Sequence, residues 1–254
     1  MTFPTGFVGH GAPTNAVNES RGASWQAWAE AMPAPTAILS ISAHFEQTPP
    51  SLGATATAPL IYDFWGFPDP LYQIEYAAPG APDLAEKVER LLSTETGVVR
   101  EESRGLDHGT WVPLLHMYPA ADVPVLQLSL PWTNDPHKMY QLGRLLAPLR
   151  DEGVFILGSG NLVHNLRAAD WSHGPTPEWA GEFDHWISNV LLEDRDDDLQ
   201  DYRHNPLAGI CHPTQEHFVP LLVAAGAASS NDAVSFPIED FELGSLSMRS
   251  VQFG

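Results

Sequence analysis

The sequence predicts a single α/β domain over residues 1–254, with a central mixed β-sheet flanked by helices. Three observations predict it. Strand-like and helix-like segments alternate along the 254 residues without a compositional break, repeat or low-complexity linker. Two runs, Ala37-Ile38-Leu39-Ser40-Ile41-Ser42-Ala43 and Phe155-Ile156-Leu157, are almost continuously apolar, as strands buried on both faces are. The chain closes on two strand-like stretches, 233–236 and 245–253, that suit a hairpin and so make the sheet mixed.

In order, residues 3–8 read as a first strand ending at Gly9-His10-Gly11-Ala12-Pro13, where glycines flanking a histidine allow a tight turn and close approach to a ligand. A helix is expected over 24–31, with Trp25, Trp28 and Ala29 at helical spacing, stopped by Pro33 and Pro35. The apolar run from Ala37 then delivers His44 at its C-terminal end. Residues 51–58 read as a strand. The loop from Tyr62 to Tyr72, Tyr62-Asp63-Phe64-Trp65-Gly66-Phe67-Pro68-Asp69-Pro70-Leu71-Tyr72, is too aromatic for a solvated linker and too rich in Gly and Pro for a helix. Loops of that kind wall binding pockets.

A helix over 82–92 puts Leu84, Val88, Leu91 and Leu92 on one face, and 97–102 reads as a short strand. Arg104-Gly105-Leu106-Asp107-His108-Gly109-Thr110-Trp111 opens an apolar helix through Leu115. A strand at 123–130 and an amphipathic helix at 136–149 follow. Asp151-Glu152-Gly153 turns the chain into the run from Phe155, which breaks at Gly158-Ser159-Gly160-Asn161 and presents His164 and Asn165. A strand end opening into a glycine-rich loop is where α/β sheets place their chemistry. Residues 179–192 read as a helix with Trp179, Phe183, Trp186, Ile187 and Val190 inward. The acidic run 193–198 reads as a solvated turn. His212-Pro213-Thr214-Gln215-Glu216-His217 leads into an apolar helix over 218–228.

Charge excludes several function classes. Twelve Lys and Arg face 32 Asp and Glu, a net of -20, and such a surface repels phosphate backbones and anionic membranes. Nucleic acid and membrane are therefore not expected partners. No apolar run approaches the roughly 18 residues of a membrane span. The single cysteine, Cys211, excludes an internal disulfide framework and fits a reducing compartment. With no secretory signal pattern at the N-terminus, a cytoplasmic location is expected.

Eleven histidines are more than a bland surface needs. A lone histidine is usually a surface or hydrogen-bonded core residue, and His116, His137, His173, His185 and His204 sit in amphipathic helices or polar loops that suit that role. His212, before a proline, is either structural or a support for a nearby site. His10, His44, His108, His164 and His217 differ: four adjoin Gly or end a strand beside small residues, and His217 lies near the start of an apolar helix. A sheet would gather them along one edge, and neutral imidazoles with a carboxylate suit Fe(II) or Zn(II). The carboxylates nearest in sequence are Asp107, Glu216 and Glu46.

Nucleophile readings fare worse. Gly158-Ser159-Gly160 lacks the Gly-x-Ser-x-Gly spacing, since Leu157 stands two before Ser159. Cys211 and His212 are adjacent, and adjacent side chains rarely point at one another. No glycine-rich phosphate-binding motif is present, so nucleotide cofactors are not indicated.

With these residues in view, the sequence resembles the class III extradiol ring-cleavage dioxygenase superfamily, and specifically its 4,5-DOPA dioxygenase extradiol branch. The resemblance rests on Gly9-His10-Gly11-Ala12-Pro13, Ile41-Ser42-Ala43-His44, Tyr62-Asp63-Phe64-Trp65-Gly66-Phe67-Pro68, the Arg104 to Trp111 stretch, Gly158-Ser159-Gly160 with Val163-His164-Asn165-Leu166, and His212-Pro213 with Glu216-His217-Phe218. It implies an α/β enzyme with one non-haem metal, Fe(II) or Zn(II), per chain. His10, His44 and His217 would hold the metal. His164 would be the acid/base histidine, close enough to join the ligand set, and His108 would line the substrate and oxygen side. The wider superfamily uses a glutamate as third ligand; of the adjacent Glu216 and His217, we favour His217. The implied reaction opens a small aromatic diol, a DOPA-like catechol, with O2 to a muconic semialdehyde. The same histidines would also suit a zinc hydrolase or a metal-binding protein without catalysis.

Overall fold

A computed structural model describes residues 2–93, 97–131, 135–172 and 174–254; His173 lies outside them. Ten strands run in chain order among these residues: β1 (Thr5–Gly9), β2 (Ala37–Ser42), β3 (Ser51–Leu52), β4 (Val99–Arg100), β5 (Val125–Gln127), β6 (Val154–Gly160), β7 (Val234–Ile238), β8 (Phe241–Glu242), β9 (Leu246–Ser247) and β10 (Ser250–Phe253). Eight α-helices accompany them: α1 (Glu19–Glu30), α2 (Pro82–Leu92), α3 (His108–Met117), α4 (Pro136–Leu146), α5 (Glu178–Leu192), α6 (Asp196–Gln200), α7 (Ala208–Cys211) and α8 (Val219–Ala227). Six strands make the central sheet in the order β5-β2-β6-β1-β10-β7. The first four are parallel, and β10 pairs antiparallel with both β1 and β7. The sheet is mixed, as predicted, because the chain returns at its end to close the edge beside β1.

Side-chain alternation explains the three layers. Leu39, Ile41 and Ile156 point into one core with residues of α2, α4, α5 and α8, while Ile38, Phe155 and Leu157 point into the other with residues of α1 and α3. Both faces are covered, which is why β2 and β6 read as continuous apolar runs: all six residues of β2 and all seven of β6 are buried.

Several boundaries differ from the sequence reading, each for a local reason. The helix expected at 24–31 begins at Glu19, because Asn18 caps it by accepting the Arg21 N–H. The strand expected at 51–58 is only Ser51–Leu52. Beyond it Gly53 and Ala54 donate to Gln127, at the end of β5, and Arg104, and Ile61 to Leu106, so the segment is held by separate bonds to different elements instead of a ladder. The strand expected at 97–102 shrinks to β4, and that at 123–130 to β5 with single bridges at Leu128 and Leu130. The helix expected at 136–149 ends at Leu146 and tightens into a 3₁₀ turn, Ala147–Glu152. The acidic run is not wholly a turn: Asp196, Asp197 and Asp198 form the first turn of α6, where carboxylates favour the positive end of a helix. The stretch expected as one strand at 245–253 is split into β9 and β10.

Candidate metal centre

The C-terminal ends of three neighbouring parallel strands supply the first histidines. β1 runs into His10, β2 leads through Ala43 to His44, and β6 breaks at Gly160 ahead of His164. His108 opens α3, and His217 precedes α8. Close backbone approach joins these pieces. His10 N–H donates to Gly160 O at 3.0 Å, and Asn161 N–H to His217 O at 2.9 Å. A Cβ on Gly160 would lie 2.0 Å from His217 O, so only glycine lets the end of β6 sit against the His217 segment. Gly109 plays the same part on the other side, where a Cβ would meet Ser42 Oγ at 2.5 Å and the His44 ring at 3.0 Å.

All five expected histidines converge. Donor atoms of His10, His44 and His108 lie within 4.8 Å of one another, as do those of His164, Glu216 and His217. The two groups share one pocket: the His217 ring centre is 5.4 Å from that of His10 and 5.1 Å from that of His44. His164 stacks face to face on His217, 3.4 Å between ring centres and 5° between planes.

Hydrogen bonds behind the rings decide which nitrogen faces the pocket. Pro113, inside α3, has no N–H and leaves the Gly109 carbonyl without its helical donor. The Ser159 hydroxyl donates to that carbonyl, and so its oxygen accepts from His10 Nδ1 at 2.9 Å. His217 Nδ1 donates to Glu216 Oε1 at 3.0 Å, and His44 Nδ1 lies 3.2 Å from Asp63 Oδ2. With the Nδ1 protons so placed, the Nε2 lone pairs of His10, His44 and His217 are free. Those of His10 and His44 stand 3.2 Å apart. Two protonless nitrogens at that separation repel each other, whereas two zinc–nitrogen bonds of about 2.0–2.1 Å in a tetrahedral site would span about 3.3 Å. The donor set therefore fits a divalent cation.

Electrostatics agree. Burial, and then the neighbouring imidazoles, hold His10 and His217 well below the ordinary histidine value. Burial and His108 lower His44 to about 4, against the opposing pull of Asp107, Asp63 and Glu216. His164 falls to about 4, mainly through burial and the nearby His212. These rings are neutral at pH 7, the form that coordinates metal.

Two of the carboxylates expected near the site are elsewhere. Asp107 is fully buried, accepting from Ser42 Oγ, Arg104 Nη2 and Gln127 Nε2, so it ties β2 and β5 to the start of α3 and does not face the pocket. Glu46 lines a separate polar cleft with His212 and Glu216. His212 donates Nε2–H to Leu162 O at 2.7 Å, a structural role that anchors the strand end leading to His164. Asp63 was not singled out in the sequence. It lies between His44 and His108, and a signal existed, since it is the one acidic residue of Tyr62-Asp63-Phe64-Trp65-Gly66-Phe67. Burial opposes its charge, but the hydrogen bonds from His108 and the favourable electrostatics of the His108 and His44 rings outweigh that and lower its carboxyl to about 2. Ser159 belongs to the Gly158-Ser159-Gly160 motif but is not a nucleophile; its hydroxyl serves as acceptor for His10.

The cavity in front of the histidines is about 370 Å³, walled by Pro13, Phe64, Trp65, Phe67, Trp171 and Leu246 among others. It is large enough for one flat ring with a substituent. No helix among the described residues is long and apolar enough to cross a membrane.

Comparison with known proteins bears on this site. Residues 10–252 match the family described as the catalytic LigB subunit of aromatic ring-opening dioxygenase. A protein of Escherichia coli K12 named 4,5-DOPA dioxygenase extradiol is 39% identical, over 99% of this chain and 95% of that one. A protein of Beta vulgaris with the same name is 40% identical, over 98% of this chain and 96% of its own. A crystal structure of an uncharacterised protein from Escherichia coli K12 superposes with a TM-score of 0.84 at 34% identity, covering 99% of this chain and all of that one.

Proposed function

Because the chain belongs to the catalytic LigB family of aromatic ring-opening dioxygenases, and so is an oxidoreductase of that class, we propose that it opens a DOPA-like catechol beside its diol with O2, giving a muconic semialdehyde that carries both oxygen atoms. One divalent ion, Fe(II) or Zn(II), is held by His10, His44 and His217, with His164 near enough to complete the set. The observation that carries this reading is the convergence of protonless imidazole nitrogens at the floor of an aromatic-walled cavity.

When bound, the ion supplies positive charge that lowers the phenol pKa and, if it is iron, a path for electrons from ring to oxygen; zinc has no redox chemistry. The protein's residues do the rest. Phe64, Phe67 and Trp171 line the cavity with aromatic surface against which a flat ring packs in place of water. His164, neutral and stacked on His217, accepts the second phenolic proton and returns a proton to the leaving oxygen, a role worth about 10²–10⁴-fold. His108, with Nδ1 held by Asp63 at 2.9 Å, turns Nε2 towards the cavity and lines the side where substrate and oxygen meet.

Metal analysis combined with oxygen uptake tests this. After anaerobic reconstitution with Fe(II), catechols should drive O2 consumption and give a yellow ring-fission product. Tight zinc binding with no product from any catechol would instead favour a hydrolase or a non-catalytic metal site.

A further inference from the structure

Asp63 connects parts of the site that the strands do not. Its Oδ1 accepts from His108 Nδ1 at 2.9 Å and from the His108 backbone N–H at 3.1 Å, and its Oδ2 lies 3.2 Å from His44 Nδ1. We propose that Asp63 is a positioning residue: one carboxylate braces the metal-binding His44 and the substrate-side His108 together, and registers the aromatic loop to both. The inference rests on the reading of His44 as a metal ligand.

Three features support the assignment. An ionised carboxylate only accepts hydrogen bonds, so both Nδ1 atoms facing it must carry their protons, which leaves both Nε2 atoms as lone pairs directed away from Asp63. The His44 and His108 ring centres are 4.1 Å apart, close enough for the two oxygens of one carboxylate to reach both Nδ1 atoms. The His108 N–H also belongs to the first turn of α3, where a carboxylate is favoured by the helix dipole. The brace stands on a stiff support. Ile61 N–H donates to Leu106 O and Trp111 Nε1 to Ile61 O, fixing the residues before it. The Tyr62 hydroxyl donates to Ile74 O at 2.6 Å. Phe64, the next residue, sets its ring edge-on to His108 with 5.7 Å between centres. The pocket wall and the metal centre thus share a single polar anchor.

Titration of the metal-free protein with Zn(II), and with Co(II) as a visible reporter, tests the brace without substrate. Asp63→Asn keeps the size but offers one acceptor oxygen, so it holds only one of the two rings. We expect its Zn(II) dissociation constant to rise 10–100-fold, its Co(II) absorption band to shift, and kcat to fall more than KM rises. Asp63→Glu keeps the carboxylate but moves it by about 1.5 Å, one C–C bond, and should recover part of the affinity. Wild-type affinity and an unchanged Co(II) spectrum in Asp63→Asn overturn the proposal, as does a lowered Tm of the metal-free variant with metal binding intact. If Asp63→Asn does not fold, Asp63→Glu alone decides on the same readouts. A wild type that binds metal but opens no catechol defeats the proposed reaction and leaves the affinity comparison standing.

Discussion

The histidines of this pocket fall into two kinds. His10, His44, His108 and His217 each have Nδ1 against an oxygen, from Ser159, Asp63 or Glu216. His164 has its ring stacked on His217, and neither of its ring nitrogens is held by an oxygen acceptor among the described residues. The first kind is locked into one tautomer and can only present Nε2, which suits a permanent ligand or a fixed lining group. The second is free to exchange its proton between nitrogens, which suits a carrier. Position along the sheet does not distinguish them, since His10, His44 and His164 all follow parallel strands. The hydrogen bond behind the ring does.

The sharpest break of this contrast is removal of a locked ring. His44→Ala takes away one of the two nitrogens that stand 3.2 Å apart, and the remaining donors no longer enclose a cation. It should lose metal on desalting and all turnover, measured by elemental analysis. His164→Ala should behave differently. It leaves the three Nε2 donors in place, so metal content should stay near wild type while kcat falls about 10²–10⁴-fold, the range for loss of a general acid or base. Release of the metal by His164→Ala would move His164 into the essential ligand set and erase the distinction between the two kinds.

How much of this was legible in the sequence follows the same division between strand ends and what lies behind them. The runs before His44 and His164 declare themselves because strands buried on both faces must be apolar throughout, and the breaks after them show as glycine and small residues. The convergence of five histidines follows from that pattern together with the family motifs. Asp63 was hidden because it sits in a loop with no period, nineteen residues from His44 and forty-five from His108, and only the fold brings it between them. Ser159 was visible as a residue but not as an acceptor, since its role depends on Pro113 freeing a carbonyl in another element. Residues 53–58 misled for the opposite reason: their composition suits a strand, but Gly53 and Ala54 make single bonds to Gln127 and Arg104 and no ladder continues beyond Leu52. Asp107 is a neighbour of His108 in the chain, yet its charge is spent on Arg104, Gln127 and Ser42. Proximity in sequence was the right guide for Glu216, which holds His217 Nδ1, and the wrong one for Asp107 and Glu46.

His212 supplies the control, a locked histidine outside the pocket. Its Nε2–H is held by Leu162 O, and its Nδ1 is buried without a partner among the described residues. Locked in the opposite sense, it offers a lone pair to nothing, and its charged form is excluded by burial, which lowers it from 6.5 to about 4. The unfolded chain takes up this proton at about pH 6.5 and the folded chain only near pH 4. At neutral pH both states are unprotonated and His212 carries no titration cost. As pH falls below 6.5 the unfolded state binds the extra proton, so stability declines by up to about 1.4 kcal/mol per pH unit and levels off near pH 4. His212→Gln removes that proton uptake. Its denaturation midpoints between pH 7 and pH 4 should fall less steeply than those of the wild type, while its zinc affinity at pH 7 should change less than that of any variant in the pocket. An equal slope in the two proteins would mean that His212 is protonated in the folded state, and that burial with one backbone acceptor does not suffice to keep an imidazole neutral here.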